Sequence, residues 1–278
     1  MRLLSRNQVP AVSAHNRYIL RGYRPVTASL TLSVRSLACL HLELVNIFTH
    51  LIPAILLSAL PYHLYWHMAV RFPNAALADE VILRSYLTTS VMYLGVSSMY
   101  HMLLCHSERC SGFWSCLDYV AIIIQIVSSF VSRIYLGFYC EPHLQKAYWT
   151  LVSVLCCATG VVLLNQRFQN SRWRSTRIGI FIAIGLSAFA PILHAVHIFP
   201  YAQLDKQAGL SYYTEGSVIL VGVVFYAVDV LRRPGSFDLW GASHQIFHVC
   251  VVIGIAIHLC SIFKAFEWNY VHQRCEWT

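Results

Sequence analysis

Residues 243–265 read SHQIFHVCVVIGIAIHLCSIFKA. The stretch carries no formal charge before Lys264. As a helix rising about 1.5 Å per residue it is long enough to cross a hydrocarbon core of about 30 Å. Six apolar runs of the same kind precede it, at roughly 45–67, 81–104, 113–138, 147–164, 178–199 and 211–231. The fourth is the shortest. The sixth is the most polar and carries Glu215 and Asp229 near its ends. Between the runs stand helix breakers and charges: Arg71-Phe-Pro-Asn74, Glu141-Pro142, a basic stretch at 167–177, Phe199-Pro200 and Arg232-Arg-Pro-Gly235. These connections are too short to hold a soluble domain. Composition agrees, with 57% hydrophobic and 12% charged residues and a mean hydropathy of +0.56. A soluble domain carries roughly 25% charged residues. The expected fold is therefore an all-α membrane protein, a seven-transmembrane helix bundle.

Ahead of the bundle, residues 28–42 (ASLTLSVRSLACLHL) mix apolar and polar types at near-helical spacing. They read as a short interfacial helix lying on the membrane. This divides the chain into an N-terminal segment 1–42, a transmembrane domain 43–266 and a short tail 267–278. Residues 1–40 have no clean apolar core followed by a small-residue cleavage site, so no cleavable signal peptide is expected. The ten cysteines do not read as a disulfide framework, since Cys39, Cys156, Cys157, Cys250 and Cys260 sit in or beside apolar helical runs. Most of the ten cysteines fall on apolar runs and read as buried free thiols, with a Cys140–Cys275 bridge the credible exception. Cys105, Cys110 and Cys116 lack a CxxC pair, which argues against a metal site there.

The net charge is +8. The basic residues cluster between apolar runs, so they read as topology signals and headgroup contacts, and no nucleic acid partner is expected. Arg2, Arg6, Arg17, Arg21, Arg24, Arg35, Arg109, Arg167, Arg172, Arg174, Arg177, Arg232 and Arg233 all fall on one side of a seven-span topology, and they are 13 of the 20 Lys/Arg residues. The positive-inside rule puts that side, and the N-terminus, in the cytosol and the C-terminus outside. This is opposite to rhodopsin-type receptors, whose DRY and NPxxY signatures are absent.

With this topology, five polar groups come to similar depth near the cytosolic face. They are Ser97 and His101 at the end of the second run, Asp118 at the start of the third, and His244 and His248 at the start of the seventh. Ser97/His101 and His244/His248 are i, i+4 pairs and share a helix face. A lone intramembrane histidine is usually a hydrogen-bonded bundle residue, but charges and imidazoles converging at one level are costly in a membrane and mark function. An HxxxH pair plus a histidine from another helix supplies three ligands and leaves a fourth position for water, as in catalytic zinc sites. Asp118 is placed to orient that water or to hold a ligating histidine, and Ser97 to support a developing oxyanion. His63 and His67 read as interfacial, His194, His197 and His258 as outer, and His106 as a lip residue. Glu43, Asn46 and His50 share one face and read chiefly as a helix cap and anchor.

Several stretches together resemble the progestin and adipoQ receptor family, which includes adiponectin receptors and haemolysin-III-related proteins. They are Asn16-Arg-Tyr-Ile-Leu-Arg-Gly-Tyr-Arg-Pro25, Glu43-Leu-Val-Asn-Ile-Phe-Thr-His50, Ser97-Ser-Met-Tyr-His101, His106-Ser107, Leu117-Asp-Tyr119, Pro234-Gly-Ser-Phe-Asp238 and Ser243-His-Gln-Ile-Phe-His248. The resemblance runs from about residue 16 to 265. It implies seven helices, a cytosolic N-terminus, and zinc held by His101, His244 and His248 with Asp118 near the metal-bound water. It also links the chain to membrane hydrolases that include alkaline ceramidases. Where the family commonly has a Pro-Glu-Arg segment before Pro234, this chain has Val230-Leu-Arg-Arg233, in a loop about two residues shorter.

Two functions follow as expectations. One is a zinc-dependent intramembrane amidase acting on ceramide or another acyl amide and releasing fatty acid, with Asp118 and Ser97 as catalytic residues. The other is a signalling receptor for an extracellular hormone or sterol, with a structural zinc site and no turnover. Either is an integral multi-pass protein of the plasma membrane or an endomembrane. A pore is disfavoured, because the sequence displays no evident polar stripe along the spans.

Overall fold

In the computed structural model the described residues are 2–9, 16–168, 171–200, 209–228, 234–272 and 275. A two-stranded antiparallel ribbon, β1 (Leu4–Ser5) with β2 (Arg21–Tyr23), opens the chain. It is a small non-helical addition to the expected all-α class. Ten helices follow among the described residues: α1 (Leu30–Arg35), α2 (Leu44–Ser58), α3 (Leu60–Arg71), α4 (Leu77–Leu103), α5 (Glu108–Gly137), α6 (Pro142–Leu164), α7 (Arg174–Ser187), α8 (Phe189–Ile198), α9 (Gly209–Val228) and α10 (Ser243–Val271).

Each of the seven apolar runs is helical over its described residues. Two are broken in the middle, for the same reason. Pro61 and Pro191 lack the amide hydrogen that would bond four residues back, and their rings crowd that carbonyl. The first run therefore divides at Ala59 into α2 and α3, and the fifth at Ala188 into α7 and α8. Five units are long and apolar enough to cross a membrane: Leu44–Arg71, Glu108–Gly137, Pro142–Leu164, Arg174–Ile198 and Ser243–Val271. Helix α4 spans 27 residues but carries Asp79, Glu80 and Arg84 in its first turns. Helix α9 has a shorter apolar stretch, Tyr213–Val228.

The expected interfacial helix over 28–42 is shorter than its pattern suggested. Ser29 caps α1 by accepting the Leu32 N–H, and the helix tightens to a 3-10 turn over Ser36–Ala38. Leu30, Leu32 and Val34 are exposed, as an element lying against lipid requires.

The bundle is built around α10. Its apolar window is 44% buried, against 11% for Arg174–Ile198 at the periphery. Ile55, Leu56, Val154, Val161 and Leu193 form an exposed apolar belt. The interior holds polar side chains, among them Ser90, Ser97, Gln125, Ser132, Arg133, His258 and Ser261. This polar file is internal and comes from several helices, and it includes helical stripes that the runs read separately do not bring out: Gln125, Ser128 and Ser132 on α5, and Ser90, Ser97 and His101 on α4.

The two ends of the bundle are fastened differently. At one end Asp79 caps α4 through the Ala76 N–H (3.0 Å) and accepts the hydroxyls of Tyr135, from α5, and Tyr139, just beyond it (2.9 Å each). Cys140 and Cys275 form a disulfide at that same end, so the credible exception among the thiols is realised. Eight cysteines are free, but Cys105 and Cys156 alone are buried, while Cys157 and Cys260 are exposed. At the other end Arg24 is 7% exposed. It donates to the carbonyls of His101 (2.6 Å) and Met102 (3.0 Å) and to Ser36 Oγ (2.9 Å). Arg24 thus caps the C-terminus of α4, where a cation is favoured by the helix dipole and the open carbonyls. Burial pulls its guanidinium below its ordinary pKa. Arg24→Ala strands those carbonyls and is expected to cost about 2–3 kcal/mol, measured as a fall in Tm of the purified protein.

Candidate metal centre

The centre is assembled at the capped end of α4. Helix α4 ends there with His101, and α10 begins there with His244 and His248 one turn apart on one face. His244 Nε2 lies 3.3 Å from His101 Nε2 and 3.0 Å from His248 Nε2. One ligand nitrogen from each ring falls within 4.8 Å of the others. His101 and His248 are buried, and His244 is half-buried. Three imidazoles held this closely could hold a metal ion.

The residues around them fix the rings. His101 Nδ1 lies 2.7 Å from Glu43 Oε2, and Asn46 Nδ2 donates to the same oxygen at 2.7 Å. This places the proton on Nδ1 and frees Nε2 to face the other histidines. The expectation that Glu43 mainly caps its helix is corrected here. Glu43 stands at the cap of α2, yet its side chain makes no capping bond and is turned to His101. The i, i+3, i+7 spacing was visible in the sequence, but not the partner on another helix. Glu43→Gln is expected to weaken metal binding by about 10- to 100-fold, read by titration of the purified protein against a chelator.

His50 was also read as an anchor, and it proves to be part of the centre. Its ring stacks on His248 with centroids 3.9 Å apart, and its Nδ1 lies 2.9 Å from Ser97 Oγ. Ser97 is thereby held beside the histidines. Asp118 faces Ser97 and His101 from α5, and its Oδ1 is buried with no hydrogen-bond partner. A buried carboxylate oxygen left in that state fits a site that takes a further polar species, such as water. Tyr226 of α9 closes one side, edge-on to His244 at 5.1 Å.

Of the other described histidines, His41 accepts the Glu43 N–H through Nδ1 at 3.1 Å. His194 bonds to Tyr148 Oη at 2.8 Å, His67 lies against Phe263, and His106 meets Ser107 Oγ at 3.1 Å. His258 is buried in a separate charged cluster. Asp229 and the departing segment Val230–Arg233 lie outside the described residues.

A bundle of apolar helices closed at one end around three clustered histidines defines a polytopic membrane protein with a centre that could hold a metal. The chain belongs to the haemolysin-III-related family, whose model matches residues 39–259. It is similar to the ADIPOR-like receptor IZH2 of Saccharomyces cerevisiae, at 32% identity over 99% of this chain and 87% of that protein. It is also similar to the adiponectin receptor protein of Drosophila melanogaster, at 30% identity over 94% of this chain and 59% of that protein. A third relative is the heptahelical transmembrane protein ADIPOR1 of Oryza sativa subsp. japonica, at 31% identity, covering 92% of this chain and 82% of that protein. The resemblance carried by the motifs is thus borne out.

Proposed function

We propose that the protein is a seven-span zinc-dependent lipid amidase of the ceramidase type, with its centre at the cytosolic face. The observation that carries this reading is the pairing of three histidines with an unpartnered, buried Asp118 oxygen. Three imidazole nitrogens about 2.0–2.1 Å from a tetrahedral zinc stand about 3.3 Å apart, close to the 3.0 and 3.3 Å separations here. Imidazole suits zinc among the available divalent ions. A histidine set whose outer nitrogen is held by a carboxylate is the arrangement that orients such ligands.

Zinc bound there supplies Lewis acidity toward an amide carbonyl and toward water. Asp118, with one buried oxygen lacking a hydrogen-bond partner, would be placed to accept a proton from water and to pass it to a leaving amine. Ser97, oriented by His50, donates its hydroxyl hydrogen to the oxyanion. Glu43 keeps His101 in one tautomer throughout. The apolar belt and bundle give the acyl chain a lipid-like path to the centre.

A receptor reading is favoured by one observation, that two of the relatives bear the word receptor in their names. In that reading the metal is structural, and the ligand is a hormone or sterol bound from outside. The test is metal analysis of purified protein together with incubation on ceramide vesicles and quantitation of released fatty acid. Stoichiometric zinc with release supports the amidase. Stoichiometric zinc without release from ceramide or other acyl amides supports the receptor.

The same proposal places the N-terminus in the cytosol and the C-terminus outside. The arginine distribution supports it. So does the Cys140–Cys275 bridge, since disulfides persist on oxidising sides of membranes and this one lies at the end remote from the histidines. An N-terminal tag is expected to survive external protease on intact cells or sealed vesicles, and a C-terminal tag to be cleaved. Both tags on one side would break the seven-span count.

A further inference from the structure

A second charged cluster is buried in the bundle, and the chemistry above does not use it. Arg133 of α5 donates from Nη2 to Glu215 Oε2 of α9 (2.8 Å) and from Nη1 to Ser261 Oγ of α10 (2.6 Å). His258 Nδ1 lies 2.9 Å from Glu215 Oε1, and its Nε2 lies 2.9 Å from Ser132 Oγ. The ring of Tyr86, from α4, stacks on His258 at 4.2 Å. Along α10 the cluster is ten residues from His248, about 15 Å at helical rise. Ionic groups at such depth are costly and are retained for a purpose.

The geometry of α9 connects the cluster to the metal centre. Glu215 and Tyr226 are eleven residues apart, which puts them about 20° apart around the helix. Ile219 and Gly222 lie between them on the same stripe. Each meets a partner on the antiparallel α10: Glu215 with His258, Ile219 with Gly254, Gly222 with Cys250, and Tyr226 with Phe247 and His244. A Cβ added to Gly222 would stand 2.7 Å from Cys250 Cβ, and one added to Gly254 would stand 2.6 Å from Ile219 Cδ1. At these two glycines a side chain of one helix therefore lies directly on the backbone of the other. Apolar ridges in lipid have no hydrophobic force to fix their register, whereas a buried ion cluster fixes register well. A slide of one turn, about 5.4 Å, parts Glu215 from His258 and at once carries Tyr226 away from His244.

We propose that Glu215, clamped by Arg133 and His258, is a positioning residue for the metal centre: it sets the register of α9 on α10 and, through Tyr226, the ring of His244. The proposal rests on the reading of His101, His244 and His248 as metal ligands. It gives the half of the bundle remote from the centre a rigid route to it.

The test uses full-length protein loaded with Co²⁺, whose visible spectrum reports ligand geometry, and zinc competition to obtain affinity. Glu215→Ala combined with Arg133→Met removes the clamp without stranding a buried charge. It is expected to alter the Co²⁺ spectrum and to weaken metal binding about tenfold or more, the scale of outer-shell losses. Gly222→Ala wedges the same seam apart without touching the cluster and is expected to change the spectrum likewise. Adding Cys250→Gly to it restores room and the wild-type spectrum. A folded Glu215→Ala/Arg133→Met protein with unaltered spectrum and affinity overturns the proposal, even if its Tm is lower. Should that protein fail to fold, the Gly222→Ala and Gly222→Ala/Cys250→Gly pair decides on the same criteria. Wild-type protein that takes up no Co²⁺ and no zinc overturns the metal reading itself, and the coupling falls with it.

Discussion

His248→Ala is expected to leave the purified protein nearly devoid of zinc. The substitution removes one of three nitrogens held about one tetrahedral edge apart, and two imidazoles bind zinc far more weakly than three. The loss should reach stability, because the ligands come from α4 and α10 and binding energy in such a site is folding energy. A thousandfold rise in Kd, with metal previously in excess at about a thousand times Kd, removes about 4 kcal/mol of stabilisation. The expected result is a lower Tm that added zinc no longer raises, while added zinc still protects the wild type. The stacked His50 ring also loses its neighbour, so His248→Asn, which keeps some volume, serves as the control for packing. Full stoichiometric zinc in His248→Ala would remove His248 from the ligand set.

Asp118→Asn is expected to separate the metal from the chemistry. It preserves size and an acceptor oxygen and removes the charge. Asp118 is half-buried beside Ser97 and His101, its Oδ1 is buried without a hydrogen-bond partner, and it stands outside the group of three imidazoles. Zinc content and Tm should therefore remain near wild type. Amidase turnover should fall by about 10²-fold or more, the scale for losing a general acid–base group. Measured on ceramide vesicles, unchanged turnover would take Asp118 out of the mechanism. Zinc retained in a protein that never turns over lipid amides would instead leave a structural centre and strengthen the receptor reading.

Much of the centre was legible because its residues obey helical spacing. His244 and His248 are four apart, and their facing one another needs nothing beyond the helix itself. That His101 joins them follows from alternating span direction, which sets depth but not azimuth. Glu43 and His50 show the limit. Their spacing revealed a common face on α2, and a common face is equally what a cap and anchor would need. Only the packing of α2 on α4 turns Glu43 to His101 Nδ1 and His50 to Ser97. Arg24 shows the same limit outside the membrane. As one arginine in a basic tail it reads as a topology signal, yet it closes the C-terminus of α4 directly behind His101.

The sequence by itself determined the apolar runs and the level at which the polar groups gather, because these depend on local composition and on the fixed rise of a helix. Tertiary structure alone decided which buried groups meet. The Arg133–Glu215–His258 cluster draws one residue from each of α5, α9 and α10, so no single run displays it. The close α9–α10 seam depends on Gly222 and Gly254 facing particular side chains across the interface. Rotation of a helix about its axis is set by the neighbours it packs against, and that information is distributed over the whole chain rather than written in any one of its segments.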